Sequence, residues 1–273
     1  MRLFLISGTH SRHLFLLRPL LQEFEVTGVL VMGRESLTPV PPQGIPARDR
    51  DNFIRHFWLR AEVEQRVFGD LEAAQVFASV PSLMVAPEAL NTSESARFVA
   101  DHPADVAVIF GPDLIFPPLY DALPEHKWNV HLGLSPWYRG SATLFWPFFN
   151  MEPQYAGATI HQIIAEPDAG AVLHQCVPPC IPGDGLHDVG SRCVVTAAVA
   201  VQQLLRLLVR QGSLAEARQR SSGRLYLSSQ FRPEHLRVNY DLFNDRMVDA
   251  LLAGDLRPRP PRLMQPNGPL DPA

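Results

Sequence analysis

The run RLFLISGTHSRHLFLLRPLLQEFEVTGVLVMG, residues 2–33, decides the fold. Arg2–Ser7 is a short apolar run closed by Gly8. Leu14, Leu17, Leu20 and Leu21 then recur in a helical pattern, and Val26–Met32 is a second apolar run ended by Gly33. Strand, helix, strand in that order is a β-α-β opening, the start of a parallel sheet with crossover helices.

The pattern continues downstream. Val106–Phe110 reads as a buried strand ending at Gly111, and Trp128–His131 as the next one. Weaker strand signals lie at Ala74–Phe77 and Leu83–Ala86. A charged amphipathic helix is predicted over Asp51–Gly69, with Asp51-Asn52 able to cap its start. Further helices are predicted over Ser93–Asp101, over 143–150 and from about His187 to Gln211. Strands are expected at 157–164 and 171–176, and the proline-rich stretch 38–47 reads as a loop. The expected class is α/β: a Rossmann-like, mostly parallel sheet flanked by helices. Ser213–Arg224 is polar and turn-rich, so the boundary falls there, with a larger unit over 1–212 and a small C-terminal region over 213–273. That region holds a short strand at Leu225–Leu227, a helix near Asp241–Ala253 and a Pro/Arg-rich tail, Arg257–Arg262, expected to be extended and partly disordered.

Composition narrows the function. The chain has 273 residues, 46% hydrophobic and 19% charged, as in an ordinary soluble globular protein able to bury a core without disulfides or metal. A net charge of −4 with a single lysine, Lys127, argues against a dedicated nucleic-acid surface, which needs clustered cations. Three cysteines, Cys176, Cys180 and Cys193, make no disulfide framework and point to a reducing compartment. Cys176 and Cys180 lie near His174, but no second ligand pair follows at zinc spacing, so no metal is expected. The opening apolar run is too short for a signal peptide. The stretch around Val194–Val209 is interrupted by Gln202, Gln203 and Arg206, so a buried helix fits better than a membrane span. A cytoplasmic location follows by default, and a homodimer is left open.

The chemistry concentrates in Asn129-Val-His131, then Leu134-Ser-Pro-Trp-Tyr-Arg-Gly140, then Asp168 within Glu166-Pro-Asp-Ala-Gly170. Asn129 and His131 lie two apart at the end of a predicted strand, on one face, at the edge where open parallel sheets bind ligands. An amide, an imidazole and a carboxylate suit transfer of an activated carbonyl to an amine. Amide and imidazole can hold the oxyanion of a tetrahedral intermediate, while the carboxylate orients the imidazole. Asp168 near His131 should raise the histidine's pKa. On their own, an Asn-x-His at a strand end also reads as a turn-and-cap feature, and Pro-Asp-x-Gly as an Asx-turn. His56, His126, His161, His187 and His235 lie in no recognisable constellation, and Leu144-Phe-Trp-Pro-Phe-Phe149 reads as core.

Together with Gly157-Ala-Thr-Ile160, these motifs resemble the core of the folate-dependent formyltransferases, best over about residues 104–176. That family includes methionyl-tRNA formyltransferase, glycinamide ribonucleotide transformylase and the sugar N-formyltransferases. The resemblance implies that Asn129, His131 and Asp168 are the catalytic trio and that N10-formyltetrahydrofolate is the donor. Phe110, Gly111, Leu114 and Ile115 resemble the wall of the family's pterin site, which Ile164, Ala165 and Glu166 would complete. Gly8, Thr9 and His10 lie where the family's acceptor generally approaches, and Ser135, Tyr138 and Arg139 belong to the loop after the catalytic histidine. A capping role for His10 and an ion-pairing role for Arg139 compete with those assignments.

The loop here opens Leu132-Gly-Leu-Ser135 before its proline, a departure from the family's usual Ser-Leu-Leu-Pro. One residue is added around Met151–Tyr155. The tRNA enzyme's C-terminal barrel pattern is missing and the chain is acidic, so initiator tRNA is disfavoured. A small-molecule amine is the expected acceptor, a nucleotide-linked amino sugar first. A hydroxyornithine-like siderophore precursor or another specialised or carrier-bound amine stands next. Formyltetrahydrofolate hydrolysis, a non-catalytic folate or metabolite sensor, and an interaction protein acting through the 51–69 helix and the tail remain as alternatives.

Overall fold

The computed structural model describes residues 1–220, 223–257 and 259–271. Ser221 and Ser222 of the expected boundary and Pro258 of the expected tail lie outside the described residues. Strands run over Arg2–Gly8 (β1), Glu25–Met32 (β2), Ser82–Val85 (β3), Val106–Phe110 (β4), His126–His131 (β5), Arg139–Gly140 (β6), Ala158–Gln162 (β7), Val172–Cys176 (β8) and Leu225–Tyr226 (β9). Seven form one sheet in the order β3-β2-β1-β4-β5-β7-β8, the first five parallel and β7 and β8 antiparallel. β6 and β9 make a separate parallel pair.

Helices cover Ser11–Glu23 (α1), Ala47–Phe68 (α2), Ala73–Val76 (α3), Ser93–Asp101 (α4), Leu119–Ala122 (α5), Phe145–Phe149 (α6), Leu186–Gln211 (α7) and Met247–Ala253 (α8). Side chains alternate faces along a strand, and the central strands are apolar on both. Leu3, Leu5, Val29 and Val108 pack with α1 and α7, while Phe4, Ile6, Leu30 and Ile109 pack with α4 and α5. A doubly covered sheet results, whose carboxyl edge gathers Gly8, Gly111 and His131. Among the described helices α7 alone has the length and apolarity to cross a bilayer; here Val189, Cys193, Val201 and Leu204 are wholly buried in the fold.

Three expectations shift. Ala74–Phe77 is not a strand: Ala73–Val76 is a turn of helix and Phe77 is buried in the core, because so short an apolar run fits either periodicity. α2 begins at Ala47 rather than Asp51, behind Pro46, whose fixed φ suits a helix start. Its buried face carries Asp49, Asn52, His56 and Glu64, whereas Ile54 and Trp58 are exposed. The helix near Asp241–Ala253 is broken: a π-turn over Val238–Leu242 precedes α8, with Asn244 and Asp245 at positive φ between them.

The C-terminal stretch is tied down along its length. Arg237 forks onto Asp49 at 2.6 Å twice, and Asp241 meets Arg48 and Asn52. Tyr226, Tyr240, Met247 and Val248 share one apolar cluster with Phe53, Tyr138, Phe145 and Trp146. The tail runs along β8, where Gln175 accepts from the Met264 amide at 2.9 Å and Asn267 donates to the Leu173 carbonyl.

Candidate active site

Asn129 and His131 leave the carboxyl end of β5 on one face, and antiparallel pairing sets His161 of β7 opposite Asn129. Asp168 reaches in from the loop between β7 and β8. Its Oδ2 lies 3.4 Å from His131 Nδ1, and its Oδ1 lies 3.4 Å from both His161 Nε2 and Asn129 Nδ2. Asn129 Nδ2 also donates to His161 Nε2 at 3.2 Å. His161 Nδ1 donates to the Gln162 carbonyl at 2.8 Å, which orients the ring with Nε2 toward Asn129 and Asp168. The trio is therefore a quartet. The register supplies the fourth member, and the only sequence signal for it was its place four residues after Gly157.

His131 is similarly constrained. Its Nε2 donates to the Tyr138 carbonyl at 2.8 Å, so Nδ1, the atom facing Asp168, is where a proton is gained or lost. Burial lowers its pKa below the ordinary 6.5; Asp168 and the Tyr138 carbonyl pull upward without reversing that. The expected rise does not occur, because a ring 7% exposed loses more hydration than one carboxylate at 3.4 Å restores. Nor is Nε2 free to bind an oxyanion, since a carbonyl holds it. Burial would raise the Asp168 pKa, but His131, His161 and the Gly140 amide outweigh it and hold the carboxyl well below the usual range.

What aims Asp168 is the segment after His131. Gly140 N donates to its Oδ2 at 2.8 Å. Arg139, 2% exposed, donates to the Pro167 carbonyl from Nε at 3.0 Å and from Nη2 at 2.6 Å, and Nη2 also meets Glu166 at 2.7 Å. That grip fixes the loop with Asp168 at φ +51°. Gly140, at φ +91°, has no room for a side chain: an added Cβ would stand 2.2 Å from the Tyr226 carbonyl.

The other expected contacts divide. Ser135 and Tyr138 are buried and do not face the site. Ser135 is fixed by Thr159 and Gln175, and Tyr138 bonds Glu152 and stacks on Tyr226. The loop turns inward there because its apolar residues fill the cluster under α6. Arg139 holds the Asp168 loop instead of reaching outward. Thr9 and His10 brace loops: Thr9 accepts from the Arg34 amide, and His10 Nε2 donates to the Glu35 carbonyl at 2.7 Å. Gly8 and Gly111 face each other over the ring of His13, which an added Cβ on either would strike at 2.4 or 2.5 Å. Phe110 and Ile115 are core residues, 3% and 8% exposed, because their strand or loop turns them inward. Leu114, Ile164, Ala165 and Glu166 are exposed, the last three directly ahead of Asp168 in the chain, and Asn91 ties the 114–116 turn by two hydrogen bonds.

A cavity of about 420 Å³ adjoins this constellation, though none of Asn129, His131 or Asp168 lines it. Its inner wall is Leu132 and Ser141–Thr143, neighbours in sequence of His131 and Gly140, and Thr143 Oγ1 donates to the Leu132 carbonyl. α2 and the first turns of α7 supply most of the remainder, with Arg12, Arg34, Glu35, Phe145 and Phe231 at its margins. That α2 walls a cavity was not legible, since His56, Arg60 and Glu64, four residues apart, are spaced like a solvated face. Cys176 and Cys193 lie in the core, and burial pushes the Cys176 thiol up to about 12.

The structure thus sets an amide, two imidazoles and an ionised carboxylate at the carboxyl edge of a Rossmann-like sheet, a set suited to group transfer. Residues 59–204, more than half the chain, match the formyl transferase family, and the chain belongs to it. Solved structures of like fold include phosphoribosylglycinamide formyltransferase from Anaplasma phagocytophilum, 18% identical, with a TM-score of 0.56 over 83% of this chain and 96% of that one. A sugar N-formyltransferase from a Shewanella species is 16% identical, with a TM-score of 0.56 over 87% and 86%. An N-formyltransferase from Helicobacter canadensis, solved with folinic acid and dTDP-3-aminofucose, is 14% identical, with a TM-score of 0.55 over 85% and 73%. At such identities the likeness establishes the fold.

Proposed function

We propose that the chain moves a formyl group from N10-formyltetrahydrofolate to the amine of a small molecule, a nucleotide-linked amino sugar first among them. The observation that carries the reading is the quartet of Asn129, His131, His161 and Asp168, with one open proton-accepting atom, His131 Nδ1, beside an ionised carboxylate. Family membership and the folate and amino sugar bound by the Helicobacter canadensis relative support it. Leu114 and Ile164, exposed and apolar, suit a flat heterocycle on the donor side. Residues 1–212 would form the catalytic unit, with 213–273 as its cover.

In this mechanism a neutral amine attacks the formyl carbon. The Asn129 amide gives up its long contact with Asp168 to donate to the oxyanion. The amine's proton passes to His131 Nδ1, directly or through a water. Asp168 stabilises the imidazolium that forms, as the carboxylate partner of a general base does. The same proton then goes to N10 as its bond to the formyl carbon breaks, so one C–N bond forms, one breaks and the proton changes nitrogens. Holding the two nitrogens in line contributes alongside the acid–base steps.

Tetrahydrofolate release, measured with a panel of nucleotide-linked amino sugars, hydroxyornithine, glycinamide ribonucleotide and methionyl-tRNA, tests this. Release should depend on an acceptor and drop at least ~100-fold in Asp168→Asn and in His131→Ala. Acceptor-independent release would make the chain a hydrolase, and near-normal turnover in either variant would overturn the assignment.

A further inference from the structure

His131, Thr159 and Gln175 stand side by side across three strands. Pairing sets His131 of β5 opposite Thr159 of β7, and Thr159 opposite Gln175 of β8. Directly opposed residues share a face of the sheet, so the row leads from the imidazole to the sheet's last strand. Thr159 and Gln175 are wholly buried, where a polar side chain is costly unless it is hydrogen-bonded. Thr159 Oγ1 donates to the Gly133 carbonyl at 2.7 Å and accepts from the Ser135 amide at 3.0 Å. Gln175 Nε2 donates to the Ser135 carbonyl and to Thr159 Oγ1. Both side chains therefore hold residues 133–135, the loop that leaves His131 and returns the Tyr138 carbonyl to its Nε2. The Tyr138 amide donates to the Leu134 carbonyl at 2.9 Å, closing the turn. The loop is wound close on the ring: a Cβ added at Gly133 would stand 2.6 Å from His131 Nε2.

The far end of the row is held by the C-terminal segment. Gln175 Oε1 accepts from the Met264 amide at 2.9 Å. An N–H on one side and a carbonyl on the other admit one orientation of the side-chain amide. β8 ends the sheet, and the segment covers it with side chains: Gln265 donates to the Gln175 carbonyl at 3.0 Å and Asn267 to the Leu173 carbonyl at 3.2 Å. Asn267 also exchanges hydrogen bonds with Ala215, and Asp271 with Gln203 of α7. An unbroken run of hydrogen bonds thus joins residue 264 to the loop that holds His131.

We propose that the segment 264–271 is a strap that positions His131, and that Gln175 is the positioning residue through which it acts. With the strap seated, Ser135 and Tyr138 are held where His131 Nε2 meets a carbonyl and Nδ1 faces Asp168. With it slack, the loop is free and the two ring nitrogens lose their separate roles. That His131 is the group worth positioning rests on the formyl-transfer reading; the strap itself does not.

Nitrogen–proton correlation spectra of the full chain with isotope-labelled histidine read the ring without substrate, His131 being assigned by the signal lost in His131→Ala. Wild type should show a single tautomer at neutral pH, protonated on Nε2. Gln175→Met keeps the side chain's length and removes its hydrogen bonds; there both ring nitrogens should move toward the averaged shifts of a free imidazole. Asn267→Ala loosens the strap without touching the row or the loop, and should move them the same way by less. Thr92→Ala, which removes the cap of α4, should leave them in place. With an acceptor in hand, Gln175→Met should lower kcat at least ~10-fold while KM stays within about twofold. In the wild type the Met264 amide should resist hydrogen exchange as the Ser135 amide does, a readout that needs no variant to fold. An unmoved ring in Gln175→Met or in Asn267→Ala, an equal change in Thr92→Ala, or a freely exchanging Met264 amide would each overturn the strap. A ring that behaves as expected, with no transfer to any amine, would instead defeat the formyl-transfer reading and leave the strap standing.

Discussion

Asp168 adopts φ +51°, a conformation uncommon for a residue with a side chain. It is kept there by Arg139 on the preceding carbonyl and by Gly140 on its own oxygen. The carboxylate then serves three neighbours, one of which, His161, carried no signal of function beyond its register. Because His161 Nε2 accepts from Asn129 at the far side of the carboxylate from His131, we read it as a positioning residue. His161→Leu should lower kcat about tenfold with little change in acceptor KM, while His161→Gln, which keeps an acceptor atom, should recover much of the loss. Equal kcat in both variants would refute that role. Asn129, His131 and Asp168 were legible because three motifs stand in register along the chain. The burial that lowers the His131 pKa was not, since it depends on residues far away in sequence.

At the scale of elements, the two-residue strand β6 has the tightest tolerance. It joins β9 of the C-terminal region to the loop that aims Asp168, and Gly140 stands at the junction. Gly140→Ala puts a Cβ 2.2 Å from the Tyr226 carbonyl in a backbone region L-residues avoid. It should cost on the order of 1–3 kcal/mol in chemical denaturation and reduce turnover as well. An alanine variant with wild-type stability and activity would show that β6 does not couple the two. The long elements were readable from periodicity: β1, β2, β4, β5, α4 and α7 fall close to the expected bounds. The short ones were not. Residues 74–77 fit strand or helix equally well, and the Asn244-Asp245 break in the last helix is a matter of backbone angles, not composition.

For the whole molecule, the buried histidines dominate the response to acid. Burial holds His10 and His174 at about 4 and His187 at about 3, and keeps His13 and His56 well below 6.5. In the unfolded chain each would take up a proton near pH 6.5; in the native fold each resists until far lower pH. The stability they confer is complete above pH 6.5 and declines as pH falls toward their native values. The melting temperature should therefore drop steeply between pH 6.5 and 4.5. A flat profile over that range would contradict the burial described here. Composition did not foretell this, because ten histidines in 273 residues say nothing about how many are enclosed.

The quartet hangs on β5, β7 and the loop before β8, whereas the cavity wall beyond Leu132 and Thr143 is contributed largely by α1, α2 and α7. The quartet and the cavity are thus built on separate parts of the scaffold. Substitutions confined to Phe57, Phe231 and Ser191 would reshape the cavity while the hydrogen bonds around Asp168 stay constant. Descendants of such a chain could recut the one without disturbing the other.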